Sequence, residues 1–393
     1  MGHEWAKPAE RLRQKNQKVV SGYLKTLDGW RTLAVAAVIL HHTAPSRIGF
    51  LRHLQDLGAR GVSLFFAISG ILICSRLLEE ERIHGQISLT GFYIRRVCRI
   101  QPPAILFLLA LGAFSLFGII HLTLGAWLSA LLSFHNLYLA FTAQFSDPGN
   151  RYVGHFWSLS VEEHFYLVLP ILLVLAKTRR VLALGILSTF FFLWTSLVHH
   201  VGILQTQALD FRTDMAARNL LVAALLAVLL ATPSFRSAFV RWSRHNALVV
   251  LTFGTIVVAE AFLRGHLTDQ ACCIGFPLMI ANTMMHPESW LGRLLETKPL
   301  TFLGRLSYSI YLWQQLFFRS GLPPDRGWLG VAEVWPWNLA ALMVCAVGSY
   351  YLIEKPFIRL GHRLAPPATS GRADLREVLT GDLFPRPELA TTD

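Results

Sequence analysis

The sequence predicts an all-α integral membrane protein, a polytopic bundle of about ten transmembrane helices with one re-entrant or interfacial segment. Of its 393 residues, 53% are hydrophobic and only 15% are charged. A soluble domain of this length needs more charge to cover its surface. Apolar runs of about 20 residues recur along the chain, and each can cross a hydrocarbon core of roughly 30 Å. The bilayer is therefore the expected solvent for this fold.

Eleven apolar stretches are candidate spans. They lie near 30–45, 61–78, 102–121, 123–141, 155–176, 181–199, 217–231, 247–263, 269–285, 302–318 and 333–353. Treating 123–141, which contains Gly125, His135 and Asn136, as a segment that does not cross leaves ten crossings. Both termini then share one side with about three quarters of the 36 Lys and Arg residues. Because cytoplasmic loops carry the basic excess, we expect cytoplasmic termini and a multi-pass protein of the inner (plasma) membrane.

Composition also bounds the domain organisation and the partners. We expect a basic cytoplasmic segment at 1–26, a membrane domain at 27–360 and a mobile, Pro- and Thr-rich cytoplasmic tail at 361–393. The net charge of +12 is dispersed between apolar runs, which indicates contact with anionic lipid and excludes nucleic acid. The five cysteines show no metal-ligand spacing, so no metal is expected.

Ionisable groups inside apolar segments are costly, by about 2.5–3.5 kcal/mol at the bilayer centre, and are therefore informative. The first span contains Asp28, Arg31 and His42. The eleven residues from Arg31 to His42 rise about 16 Å in a helix. We expect His42 near mid-membrane, above an arginine that faces the cytoplasm. A histidine that only hydrogen-bonds at a helix interface is the alternative.

Two further charged groups stand beside predicted spans. Arg96 and Arg99 lie on one helical face, and paired arginines suit phosphate recognition. Positive-inside anchoring is the alternative for them. Glu162 and Glu163 open the span near 155–176, where a carboxylate can turn toward a cavity. An interfacial belt with two solvated acids is the alternative there.

An ordered series of motifs resembles the acyltransferase-3 family of integral membrane O-acyltransferases. The series is Leu27-Asp28-Gly29-Trp30-Arg31 with His42, Gly61 to Gly70, Arg96-x-x-Arg99-Ile100-x-Pro102, Trp157-Ser158-Leu159-x-x-Glu162-x-x-Phe165-Tyr166, Ser307-Tyr308-x-x-Tyr311-Leu312-Trp313 and Ile353-Glu354-Lys355-Pro356-Phe357. Each motif is weak alone, but six in order across 27–357 are specific. The sequence departs from the family at Gln314, where many members have histidine, and at Gln101, where many have an aromatic residue.

The resemblance implies the transfer of an acyl group, which we expect to be acetyl, from cytoplasmic acyl-CoA to a carbohydrate hydroxyl. His42 would be the general base, and Glu162 would orient its imidazole or stabilise the protonated form. Arg31, Arg96 and Arg99 would hold the CoA phosphates, while Trp157 and Tyr308 would contribute to substrate binding. Acyl-CoA is then a co-substrate, and no other cofactor is expected. An acyl-histidine relay stays open.

Two other functions remain alternatives. The acceptor can be a small glycoside, such as a macrolide sugar, instead of a surface or exported polysaccharide. A membrane transporter would also have about ten spans with buried His, Arg and Glu, although such folds often carry matching broken halves that this sequence lacks. Labelled acyl-CoA distinguishes the two classes, because a transporter leaves it intact.

Overall fold

The computed structural model describes residues 25–43, 55, 57–142, 150–202, 211–243, 247–263, 265–318 and 328–366. Within these ranges the chain is helical and contains no strand, which confirms the all-α prediction. Residues 1–24 and 367–393 lie outside the described residues. The predicted boundaries of the terminal segments 1–26 and 361–393 therefore stay predictions.

Sixteen α-helices, α1 to α16, follow one another in the described part of the chain. In order they are Lys25–His42, Gly61–His84, Leu89–Leu116, Leu124–Leu131, His135–Thr142, Phe156–Leu175, Arg180–Val201, Thr213–Ala231, Pro233–Trp242, Ala247–Val258, His266–Met285, Trp290–Leu295, Lys298–Phe317, Trp328–Ala332, Trp337–Ser349 and Lys355–Leu364. Two π-helical turns interrupt this order, Ala259–Leu263 after α10 and Tyr350–Glu354 between α15 and α16.

Six helical stretches are long and apolar enough to cross a membrane, which makes the chain a multi-pass membrane protein. They are Gly61–His84, Leu89–Leu116, Phe156–Leu175, Arg180–Val201, Thr213–Ala231 and Trp337–Leu364. A seventh span is formed if α9 and α10, which meet at an angle of 79°, cross together as one broken element. The count of about ten crossings stays a prediction.

Three further helices coincide with predicted spans but are more polar. They are α1, α11 and α13, with 18, 20 and 20 residues and therefore lengths of about 27–30 Å. About half or more of the residues in each are buried, and α1 packs against α2, α12 and α13. Because neighbouring helices shield them from lipid, these helices can carry the polar groups that apolar spans exclude.

The segment 123–141 does not form one long helix. It folds into α4 and α5, each of eight residues, which is a length of about 12 Å and too short to cross a bilayer. The side chains of Ser129, His135 and Asn136 are buried, and Ser129 Oγ lies 2.8 Å from His135 Nδ1. Asn136 Nδ2 donates to Thr213 Oγ1 at 2.8 Å. These contacts dock the pair of short helices on α6 and α8.

Glycines allow α1 to lie close to its neighbours. A Cβ atom at Gly304 of α13 would overlap the backbone of Asp28, and one at Gly29 would overlap Leu295 of α12. On the opposite side, a Cβ at Gly61 would come within 2.7 Å of the Ala34 carbonyl oxygen. The helix that carries Arg31 and His42 is therefore fixed by backbone contacts from both sides.

We expect Gly304→Ala to destabilise the protein strongly, because α13 must move away from α1 to admit the methyl group. Overpacking in a close-packed interior costs about 1–3 kcal/mol, and here the obstacle is backbone. Size-exclusion chromatography and thermal unfolding in detergent measure the loss. Gly348→Ala is the matched control, because a Cβ there meets no atom within 4 Å. Equal stability of the two variants would show that α1 and α13 are not in close contact.

Candidate active site

Three adjacent cavities run through the helix bundle and contain most of the ionisable residues singled out in the sequence. The inner vestibule, of about 400 Å³, is lined by Leu27, Asp28, Arg31, Leu72, Ile73, Arg76, Leu77, Glu80, Phe92, Arg95, Arg96, Arg99, Ile358 and His362. The central pocket is narrower, at about 90 Å³. The outer cavity, of about 400 Å³, contains His41 and His42 in its wall. The central pocket is therefore much smaller than the spaces on either side of it.

The cavities share parts of their walls. Arg31, Arg96 and Arg99 line both the inner vestibule and the central pocket. Val62, Phe66 and Tyr311 line both the central pocket and the outer cavity. The three spaces are thus neighbours in a series, in which arginines separate the first two and mainly apolar and aromatic side chains separate the last two.

Glu162 is held at the central pocket by two hydroxyl groups. Ser69 Oγ donates to Glu162 Oε1 at 2.8 Å, and the Tyr166 hydroxyl donates to Oε2 at 2.8 Å. The Ser69 donor comes from α2, whereas Tyr166 lies one turn beyond Glu162 on α6. These bonds orient the carboxylate between the two helices.

The arginines of the central pocket have different surroundings. Arg31 Nη1 donates to Asp28 Oδ1 at 2.7 Å, three residues earlier on α1. The Arg96 guanidinium lies over the rings of Tyr166, at 4.7 Å from the centroid, and Phe92, at 5.6 Å. Arg96 and Arg99 form no ion pair with a carboxylate among the described residues. Their charge remains available for an anionic ligand.

A further carboxylate, Glu354, stands at the π-helical turn between α15 and α16. It is fully buried and accepts a hydrogen bond of 2.8 Å from Ser309 Oγ of α13. Isolated π turns in helices are frequent at functional sites. Here the turn places an acid against α13, the helix that also supplies Tyr308, whose hydroxyl donates to the Ile100 carbonyl at 2.8 Å.

His42 lines the outer cavity at the end of α1. Its Nδ1 lies 2.8 Å from the Val38 carbonyl oxygen. Because a carbonyl can only accept, Nδ1 carries the hydrogen, and the neutral ring presents the lone pair of Nε2. The Nδ1 atom of the neighbouring His41 lies 3.1 Å from the Gln55 carbonyl oxygen. The His42 ring thus has a fixed orientation and a basic nitrogen.

The boundary between the central pocket and the outer cavity is formed by a hydrogen-bonded pair. The hydroxyl groups of Ser158 and Tyr311 are 2.6 Å apart, and the Tyr311 ring packs edge-on against His155 at 5.6 Å. His155 is only 4% exposed and also lines the outer cavity. Any group that passes from one space to the other therefore moves beside Tyr311.

Ion pairs form one wall of the outer cavity. Arg60 contacts both Asp269 and Glu260, and Glu260 lies in the first π-helical turn. Arg218 Nη2 lies 3.8 Å from Asp269 Oδ2. Arg60, Arg218 and Asp269 line the cavity, and Glu260 contacts Arg60 without lining it, so the network of two arginines and two acids has no net charge.

The structure brings together five of the seven predicted site residues. Arg31, Arg96, Arg99, Glu162 and Tyr308 line the central pocket. His42 and Trp157 instead line the outer cavity. The described residues contain no hydrogen bond between Glu162 and the His42 imidazole, because Glu162 is held by Ser69 and Tyr166 and His42 by Val38. Gln314 is buried and lines none of the three cavities.

Sequence reasoning missed the charged wall of the outer cavity and the residues at its boundary. Glu260 and Asp269 lie within or beside apolar segments. The cost of placing an ionisable group there, which singled out Arg31 and His42, applies to them as well. Ser69, Ser158 and Tyr311 lie within the motifs that carry the family resemblance, but the sequence assigns them no role, because hydroxyl residues are common at helix interfaces. Among the described residues, no group of three or more His, Cys, Asp or Glu side chains could hold a metal ion.

Known proteins resemble this chain over most of its length. The peptidoglycan O-acetyltransferase OatA of Listeria monocytogenes is 29% identical over 375 residues, and YrhL of Bacillus subtilis, provisionally named a peptidoglycan O-acetyltransferase, is 28% identical over 369. The matches cover 86–87% of this chain but 56% of each relative, so the chain spans a little over half their length. No solved structure matches this chain. The acyltransferase-domain model of the acyltransferase-3 family matches residues 24–354, and the chain belongs to that family.

Proposed function

We propose that this chain is a membrane O-acetyltransferase. It takes an acetyl group from acetyl-CoA at the inner vestibule and transfers it to a hydroxyl group of a glycan at the outer cavity. The observation that carries the proposal is the series of cavities, in which unpaired arginines lie at one end and an oriented histidine at the other. The excess of basic residues predicts that the vestibule faces the cytoplasm.

The narrow central pocket suits the donor. The nucleotide of acetyl-CoA would stay in the vestibule, where Arg31, Arg96 and Arg99 contact its phosphates. The slender pantetheine arm would extend through the central pocket, past Glu162 and Tyr308, to Tyr311. The arginines at the entrance would meet the charged phosphates of acetyl-CoA. The mainly apolar and aromatic side chains beyond them would meet its uncharged pantetheine arm.

The arrangement supplies the groups that acetyl transfer needs. His42 Nε2 takes the proton from the acceptor hydroxyl as the oxygen attacks the thioester carbonyl. The new C–O bond forms, the C–S bond breaks, and the imidazolium returns the proton to the departing thiolate. Tyr311 lines both the central pocket and the outer cavity, and its hydroxyl and that of Ser158, 2.6 Å away, can donate to the oxyanion that develops.

The relatives support a glycan as acceptor. OatA is named a peptidoglycan O-acetyltransferase. In this chain, Trp157 lines the outer cavity beside Phe211, at 5.4 Å between ring centroids. Aromatic faces with imidazole, amide and hydroxyl neighbours suit a sugar, which has an apolar ring face and polar edges. Acetyl-CoA labelled in the acetyl group tests the reaction in membranes: we expect alkali-labile label on glycan, whereas intact acetyl-CoA and unlabelled glycan would refute it.

A bulky residue between the cavities tests the proposed passage. We expect Val62→Trp to reduce acetyl transfer about 100-fold or more, because Val62 lines both the central pocket and the outer cavity and the indole would obstruct the acyl arm. Binding of the nucleotide part, measured by titration calorimetry with adenosine 3′,5′-diphosphate, should change little, because Val62 does not line the vestibule. Val62→Ala is the matched control and should retain transfer. Normal turnover by the tryptophan variant would place the route elsewhere.

A further inference from the structure

The inner vestibule contains more positive charge than its own acids neutralise. Five arginines line it, Arg31, Arg76, Arg95, Arg96 and Arg99, but only two carboxylates, Asp28 and Glu80. Asp28 pairs with Arg31 at 2.7 Å, and Glu80 pairs with Arg95 at 3.0 Å. The remaining three arginines form no ion pair among the described residues. The vestibule therefore suits a ligand that carries several negative charges.

The three unpaired arginines occupy two levels of the vestibule. Arg96 and Arg99 of α3 line the central pocket as well, whereas Arg76 of α2 lines only the vestibule. Arg76 follows Ser69, a residue of the central pocket, by seven positions, which is about 10 Å along the helix. Its side chain is exposed to solvent. Arg76 thus stands at the mouth, at a distance from the other two.

Separate arginine positions suit separate phosphate groups. A diphosphate next to the acyl-bearing arm would lie by Arg96 and Arg99, which are nearest to the central pocket. A second phosphate farther from that arm would reach Arg76. CoA has this chemistry, because its diphosphate adjoins pantetheine and its 3′-phosphate lies on the ribose beyond. The exposed position of Arg76 suits the nucleotide end of CoA, which stays outermost when the pantetheine arm enters the central pocket.

We propose that Arg76 forms a distinct subsite for the ribose 3′-phosphate of the CoA donor. The inference rests on the proposed function, since it takes acyl-CoA as the donor. The arginine fork donates two hydrogen bonds to the phosphate oxygens, and no covalent step is involved. The subsite makes the protein discriminate between CoA and an otherwise identical nucleotide that lacks this phosphate.

Titration calorimetry with the full chain in lipid nanodiscs tests the subsite with two probes, CoA and 3′-dephospho-CoA. For the unaltered protein we expect the Kd of 3′-dephospho-CoA to exceed that of CoA about tenfold, as for one charge-assisted contact at an exposed site. Arg76→Gln should raise the Kd of CoA by about the same factor and leave that of 3′-dephospho-CoA within about twofold. Arg76→Lys should give an intermediate Kd for CoA.

Arg82→Gln is the matched control, because Arg82 lies on the same helix, outside the vestibule, and pairs with Glu79 at 2.6 Å. It should bind both probes like the unaltered protein. An equal weakening of both probes by Arg76→Gln, or no weakening of CoA, would overturn the subsite alone. If the unaltered protein binds neither probe, the donor assigned under the proposed function is wrong, and the subsite falls with it.

Discussion

Replacing His42 by alanine is expected to abolish acetyl transfer. General base catalysis by a positioned side chain contributes about 10²–10⁴-fold, so kcat should fall by about that factor. The imidazole is oriented by the Val38 carbonyl and lines the outer cavity, where the acceptor hydroxyl would arrive. The rate of label transfer from acetyl-CoA to glycan, in membranes with equal amounts of inserted protein, measures the effect.

His41→Ala is the control for this variant. His41 directly precedes His42 and lines the same cavity, but its Nδ1 is bonded to the carbonyl of Gln55, 14 residues later in the chain, and we assign it no role in proton transfer. Its removal should lower the rate much less. CoA binding should be equal in both variants, because the vestibule contains neither residue. Normal turnover without His42 would remove the base from the mechanism.

The double variant Arg96→Ala with Arg99→Ala is expected to raise the KM for acetyl-CoA about 100-fold or more. Each charge-assisted hydrogen bond contributes about 1.5–3 kcal/mol, and the two arginines occupy the entrance to the narrow central pocket. Neither forms a direct ion pair with a carboxylate among the described residues, but Arg96 lies near Glu162 and Arg99 near Glu354, so the comparison requires equal amounts of correctly folded protein. The effect should appear in KM for the donor and not in KM for the acceptor.

A control for charge alone is the double variant Arg293→Ala with Arg305→Ala. Both side chains are exposed, and neither lines the vestibule or the central pocket. Arg293 lies between the spans predicted near 269–285 and 302–318, and Arg305 lies at the start of the second, where ten crossings predict the cytoplasmic side, so the variant removes the same charge from the same side. An unchanged KM in the Arg96 and Arg99 variant, or an equal rise in the control, would reassign the pair to membrane anchoring.

Much of the fold could be predicted because the bilayer imposes simple rules on sequence. Apolar runs predicted helices at each of ten positions, and the segment 123–141, which the Lys and Arg distribution set apart as one that does not cross, forms two short helices. The number of crossings stays a prediction. Helices α1, α11 and α13 carry polar residues that only their packing against other helices can explain, and hydropathy alone does not recognise them as spans.

The sequence by itself determined the class of the protein, the family and the chemical types in the site, because charges inside apolar segments are too costly to occur without a partner or a cavity. Only the tertiary structure decided which of these residues face the same space. In the folded chain, Glu162 accepts hydrogen bonds from Ser69 and Tyr166, which are 93 and 4 positions away in sequence. His42 lines a separate cavity. Such contacts depend on how helices pack against one another, and the periodicity of a single helix does not encode its neighbour.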